Sequence, residues 1–150
     1  MELVQATIDD LDVTAGLFDA YRQFYGQSSN IEATKVFIAE RLSTGDSMII
    51  LAVDDDNDAL GFTQLYPSFS SVAMQRIWIL NDLYVSKHAR KSGVGSALLE
   101  AAKLYAEQTG ACRLVLSTAI DNKVARSLYE TKGYKRVVEF DNYSLDIVSI

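Results

Sequence analysis

Residues 90 to 97, Arg90-Lys91-Ser92-Gly93-Val94-Gly95-Ser96-Ala97, lie between an apolar strand-like run and a helix-like run. The first is Ile77-Trp78-Ile79-Leu80-Asn81-Asp82-Leu83-Tyr84-Val85; the second, Val94 to Ala106, has apolar residues at 94, 97, 98, 101, 102 and 105. A strand, a basic glycine loop and a helix start in that order make an anion site. The N–H groups of the first helical turn have no intrahelical partner, and the helix dipole favours negative charge there. Gly93 and Gly95 lack a Cβ, so a phosphate can approach the backbone closely. Taken alone, the two glycines need only close a loop before a helix. Arg90, the strand and the regular helix together favour phosphate binding.

The spacing excludes two common nucleotide loops. No Lys-Ser or Lys-Thr pair follows a second glycine, as a P-loop requires, and position 98 is Leu where a dinucleotide fingerprint needs its third glycine. With 150 residues, 49% of them hydrophobic and 23% charged, the chain suits one globular domain, 1–150. No apolar run is long enough to span a bilayer, and Met1-Glu2-Leu3-Val4 lacks the features of a signal peptide. A single cysteine, Cys112, fits a reducing compartment, so a cytoplasmic protein is expected. Cys112 stands near Leu114, Val115 and Leu116 and is expected in the core. The net charge of −6 argues against nucleic-acid binding. The lone His88 has no companions at ligand spacing, so no metal is expected.

Periodicity and turn chemistry predict strands over 2–6, 48–53, 59–66, 76–85 and 113–118, with a C-terminal hairpin over 135–140 and 143–147. Helices are predicted from Asp9 or Asp10, either one its cap, to about Tyr25, and over 31–42, 93–109 and 122–132. This order implies a mixed α/β (α+β) domain, with helices on both faces of a largely antiparallel sheet.

Beyond the glycine loop, two further stretches carry a family pattern. They are Leu80-Asn81-Asp82-Leu83-Tyr84-Val85 and Asp121-Asn122-Lys123-Val124-Ala125-Arg126-Ser127-Leu128-Tyr129-Glu130-Thr131-Lys132-Gly133-Tyr134. With [Arg/Gln]-x-x-Gly-x-[Gly/Ala] between them, the chain resembles the GCN5-related N-acetyltransferases (GNAT superfamily), most strongly from Ile77 to Arg136. The looser likeness of Tyr66-Pro67-Ser68-Phe69-Ser70-Ser71 and of the strand before the loop is to the yeast histone/polyamine acetyltransferase branch. The resemblance implies a sheet whose two central parallel strands splay apart, with acetyl-CoA as cosubstrate in the cleft. It implies backbone contacts to the coenzyme from Leu83, Tyr84 and Val85, and a pyrophosphate site at Arg90, Lys91, Ser92, Gly93, Val94, Gly95 and Ser96. Asn122 and Ala125 are further expected coenzyme contacts, Asn122 also being a possible N-cap.

The family assigns Tyr129 the role of general acid toward the departing thiolate, a sensible role for a donor beside a thiol of pKa near 8.5; packing on the sheet is the alternative. Asp82 is a base for the acceptor amine or a structural carboxylate bonded to backbone or Arg76. Where the polyamine enzymes have an acid-Asp pair, this chain has Asn81-Asp82. Acceptor contacts are expected from Tyr25, Tyr66, Trp78 and Asn81. The expected activity is acetyl transfer to a primary amine of a small molecule (polyamine or amino-acid-like) or a protein lysine, by a homodimer. The alternative is a non-catalytic acyl-CoA-binding sensor.

Overall fold

Strands β1 (Glu2–Gln5), β2 (Met48–Val53), β3 (Ala59–Ser70), β4 (Gln75–Val85) and β5 (Arg113–Val115) lie side by side in that order in the computed structural model, which describes residues 1–150. β1 to β4 pair antiparallel, and β4 pairs with β5 in parallel. The six residues of β2 are all apolar and all buried, because helices cover both faces of this strand. Two compact units are present, Met1–Ser117 and Thr118–Ile150. The first holds the whole sheet.

Cross-strand partners share a face, so the register sorts the side chains. Val4, Leu51 and Phe62 point to one side; Leu3, Ala52 and Gly61 point to the other. The first side is covered by helices α1 (Leu11–Phe24) and α2 (Ile31–Thr44), whose Leu17 and Ile38 join Ile49, Leu51, Val53 and Phe62 in one apolar cluster. Each such large side chain contributes roughly 1.5–3 kcal/mol on burial. The opposite side is covered by helix α3 (Val94–Gln108), through Val94, Leu98, Leu99, Ala102 and Ala106. Close packing there depends on Gly61. A Cβ on it would lie 2.5 Å from Tyr84 O, 3.2 Å from Val85 Cα and 3.3 Å from Val94 Cγ1.

The helix caps explain the boundaries. A 3-10 turn, Ile8–Asp10, precedes α1, and Asp10 bonds back to Thr7 N–H at 2.8 Å instead of capping α1 with its side chain. Asn30 caps α2, accepting from Ala33 N–H at 3.2 Å. The α1–α2 connection is held by buried Asp19, which accepts from Ser29 Oγ at 2.6 Å, Asn30 N–H at 2.8 Å and Gln23 Nε2 at 3.1 Å. These bonds, led by those from Ser29 and Asn30, hold its carboxyl below the ordinary value of 3.8 against the opposing effect of burial.

Three expectations are corrected. The hairpin expected over 135–140 and 143–147 is absent: those residues pair with no strand and are exposed, although Tyr143, Leu145 and Ile147 keep an apolar alternation. Alternation gives a segment two faces, but a strand also needs a backbone partner for its N–H and C=O groups. Cys112 is exposed, because its position precedes β5 and only its backbone N–H is engaged, by Arg76 O at 2.9 Å. β3 runs on to Ser70, past the end expected at 66. Pro67 is admitted there because β2 stops pairing at Leu65, leaving β3 with one neighbour. No helix is long and apolar enough to cross a membrane.

Candidate functional site

β4 and β5 share a ladder only over Ile77–Ile79 and Arg113–Val115. From Leu80 to Val85, β4 keeps β3 on one side and has no ladder on the other. This is the splay, and it leaves the backbone groups of Leu83 and Val85 on an open edge, those of Tyr84 being turned to β3. The strand then passes through a 3-10 turn, Lys87–Ala89, into the glycine loop and the N-terminus of α3.

The loop has a specific backbone. Lys91 has φ 62° and Gly93 φ 85°, while Ser92 between them stays at negative φ. Such alternation builds anion-binding nests from successive N–H groups. A left-handed Lys91 costs of order 1–3 kcal/mol, and strain of that kind recurs at ligand clamps. The Ser92 hydroxyl donates to Ala89 O, and Ala97 N–H already bonds to Gly93 O at 3.0 Å. Val94, Gly95 and Ser96 form the first turn of α3, with no side-chain cap on their N–H groups. Arg90 is placed differently from expectation. Its Nε donates to Val85 O at 3.1 Å, and its guanidinium lies 5.2 Å from the Phe24 ring centroid and 5.9 Å from that of Tyr84. It fastens the end of β4 to the end of α1, beside the loop.

A β-bulge sets the polar part of the site. Gln64 pairs with Asp82 but Leu65 pairs with Leu80, so Asn81 is the extra residue. Leu80 therefore faces α3, whereas Asp82, two residues on, faces the α1/α2 side with Gln64, Phe62 and Tyr84. Asp82 is 4% exposed; its Oδ2 accepts from Gln64 Nε2 at 2.8 Å, and both carboxylate oxygens accept from Asn81 Nδ2 at 3.2 Å. Its backbone O accepts from Thr63 Oγ1 at 2.8 Å. Arg76, considered as a partner for Asp82, instead lies over the Phe69 and Trp78 rings at 5.2 and 5.4 Å. Tyr66 is on the same face as Asp82. Burial, and then the negative charge of Asp82, push its phenol up; Arg41 opposes this and Asp46 adds to it.

Trp78 is removed from the acceptor contacts. It is buried on the α3 side, 5.1 Å from the Tyr105 ring, and its Nε1 donates to Thr109 Oγ1 at 2.8 Å. Tyr25 is exposed at the end of α1, its ring 5.0 Å from Tyr21 and 5.3 Å from Phe24. Two residues were missed from sequence. Gln64 is fully buried, and Ser47 Oγ donates to its Oε1 at 3.0 Å. Its signal was a large polar residue inside the apolar run Gly61-Phe62-Thr63-Gln64-Leu65.

In the second unit, helix α4 (Lys123–Thr131) contains the last motif. Asn122 is its N-cap, accepting from Ala125 N–H at 3.2 Å, so the Asn and Ala of the motif are joined directly. At the other end Tyr134 N–H bonds to Tyr129 O at 3.0 Å and Gly133 N–H to Glu130 O at 3.1 Å, with Gly133 at φ 91°. These bonds form a Schellman cap. Tyr129 is half-buried.

A sheet that opens beside a glycine loop at a helix N-terminus defines the class, a mixed α/β fold with helices on both faces of its sheet. Residues 14–134 match the family model described as acetyltransferase (GNAT) family. The uncharacterized N-acetyltransferase YhfO of Bacillus subtilis (strain 168) is 47% identical over 147 residues, 98% of each chain. A probable acetyltransferase of Haemophilus influenzae is 37% identical over 135 residues, 90% of each chain. A crystal structure of a probable acetyltransferase superposes with TM-score 0.94 at 47% identity, covering 99% of both chains. The chain belongs to the acetyltransferase (GNAT) family and is an N-acetyltransferase.

Proposed function

We propose that the donor is acetyl-CoA and the acceptor a primary amine of a small molecule, with direct transfer in a ternary complex. The observation that carries this reading is the open edge of β4 from Leu80 to Val85, leading into the Lys91–Ser96 loop. A pantetheine arm has amide groups that can add to such an edge as a further strand does. A pyrophosphate suits the nest and the uncapped first turn of α3.

In the transfer, the acceptor ammonium first gives up a proton, to Asp82 or to water. The nitrogen lone pair forms the C–N bond at the thioester carbonyl, the C–S bond breaks, and its electron pair leaves on sulfur. Tyr129 supplies the proton that the thiolate takes, and the second proton lost by the nitrogen as the amide forms returns to Tyr129, directly or through water. Tyr66, Asn81 and Tyr25 contact the acceptor. A small acceptor is favoured over a protein lysine by two more distant relatives. The aminoglycoside N(6')-acetyltransferase type 1 of Klebsiella aerogenes is 31% identical over 107 residues, and the D-amino-acid N-acetyltransferase HPA3 of Saccharomyces cerevisiae 34% over 86. The protein acts as a cytoplasmic homodimer of one domain, 1–150, joined through its exposed apolar C-terminal run, Tyr143 to Ile150.

An acceptor panel tests the reading. Purified chain and acetyl-CoA are mixed with polyamines, amino acids, aminoglycosides or a lysine peptide, and free thiol is followed. Amine-dependent thiol release is expected from a small amine. Coenzyme binding without release across the panel returns the chain to the sensor reading. A monomeric mass by light scattering at micromolar concentration removes the dimer.

A further inference from the structure

We infer that Gln64, oriented by Ser47, is a positioning residue that holds Asp82 as a charged carboxylate aimed along the α1/α2 face of the sheet. This rests on the reading of Asp82 as the group that receives the acceptor's proton.

Asp82 is buried, yet no cation pairs with it; the side-chain donors to its carboxylate are the amides of Gln64 and Asn81. A buried charge without a counter-ion is costly unless hydrogen bonds replace its hydration. Of the two donors, Gln64 makes the shorter bond and is fully enclosed, whereas Asn81 is exposed and competes with water. The direction of the Gln64 amide is fixed by its neighbours. An ionised carboxylate only accepts, so the NH2 end must face Asp82; the Ser47 hydroxyl then donates to the remaining oxygen. Reversing the amide would set oxygen against carboxylate and break the bond to Asp82.

A structural role alone does not require this arrangement. The cross-strand partner of Gln64 is Ile49, inside the apolar cluster, and an apolar residue at 64 would pack there. A polar residue in that place makes sense through what it does to Asp82. The titratable groups on the same face as Asp82 are Tyr66 on β3 and Tyr84 on β4; Arg41 on α2 and Asp46 after it act on Tyr66. Arg41 is engaged elsewhere, with Nε 2.8 Å from Asp46 and its guanidinium 4.9 Å from the Phe37 ring centroid.

The test compares wild type, Gln64→Met, which keeps length and volume but loses the donor, and Ser47→Ala, which removes only the orienting bond. The titration of the Asp82 carboxyl is followed by carbon NMR, its signal assigned by loss in Asp82→Asn. The pH dependence of kcat/KM is measured beside it. In Gln64→Met the Asp82 midpoint is expected to move to higher pH by about one unit, the scale of one hydrogen bond to a charged group. The acid limb of kcat/KM should move with it, and Ser47→Ala should move both the same way by less. An unmoved midpoint in folded Gln64→Met overturns the proposal; if that variant does not fold, an unmoved midpoint in Ser47→Ala does so. A moved midpoint with an unmoved acid limb upholds Gln64 and removes Asp82 as the proton acceptor. Absence of thiol release by wild type removes the acetyl-transfer reading while the NMR arm still decides the role of Gln64.

Discussion

The rings of Tyr129 and Tyr134 lie 5.9 Å apart, across the turn in which Tyr134 N–H bonds to Tyr129 O. The ring of Tyr129 thus helps to close the end of α4, and its hydroxyl is a separate chemical handle. Tyr129→Phe keeps the ring and the backbone bond. It should leave acetyl-CoA affinity nearly unchanged and lower kcat by roughly 10²-fold, the scale of losing a positioned proton donor. Chemistry must first be shown to limit turnover, by single-turnover kinetics. Full kcat under that condition makes Tyr129 a packing residue.

Gly93 and Gly95 separate backbone strain from steric access. Gly93 is left-handed at φ 85°, so Gly93→Val carries a conformational cost of about 1–2 kcal/mol as well as a blocked approach. Gly95 lies in the first turn of α3 with no positive φ, so Gly95→Val blocks approach without that strain. Calorimetry should find acetyl-CoA affinity lost in both. Near-wild-type affinity in Gly95→Val would take the pyrophosphate away from this loop.

Gly61→Ala should destabilise the sheet. Its Cβ would meet Tyr84 O at 2.5 Å, and backbone on both strands must shift. The expected loss is roughly 1–3 kcal/mol by urea denaturation, the scale of overpacking a filled interior. An unchanged midpoint would mean that β3 and β4 have slack at this point.

Asp19 supplies a pH signature. Its carboxyl is held below 3.8 in the folded chain, so the stability it contributes is present above that value and is lost as pH falls through the lower folded value. Urea denaturation should show Asp19→Asn weaker than wild type at about pH 6, with the gap narrowing toward about pH 3. A gap independent of pH would mean that Asp19 acts by shape alone.

Much of this architecture was legible because it rests on local rules. The run Met48–Val53 and the start of α3 after Gly93 have the predicted positions, and Asn122 caps α4 as its residue type allows. What escaped depends on partners distant in sequence. The strand pattern of 143–147 is real, but pattern does not supply a second backbone. Trp78 looked available to a ligand because nothing near it in sequence shows that Thr109 takes its N–H. Gln64 and Asp82 are eighteen residues apart, and only the register of β3 against β4 brings them together.

Ten residues of β3, Gly61 to Ser70, answer eleven of β4, and the surplus is Asn81. The site therefore depends on chain length as much as on residue type. Strict alternation over this length would put Asp82 in step with Leu80, under α3; the extra residue turns it to the α1/α2 face instead. The face that Asp82 takes is thus set by the surplus residue and not by the side chain at position 81.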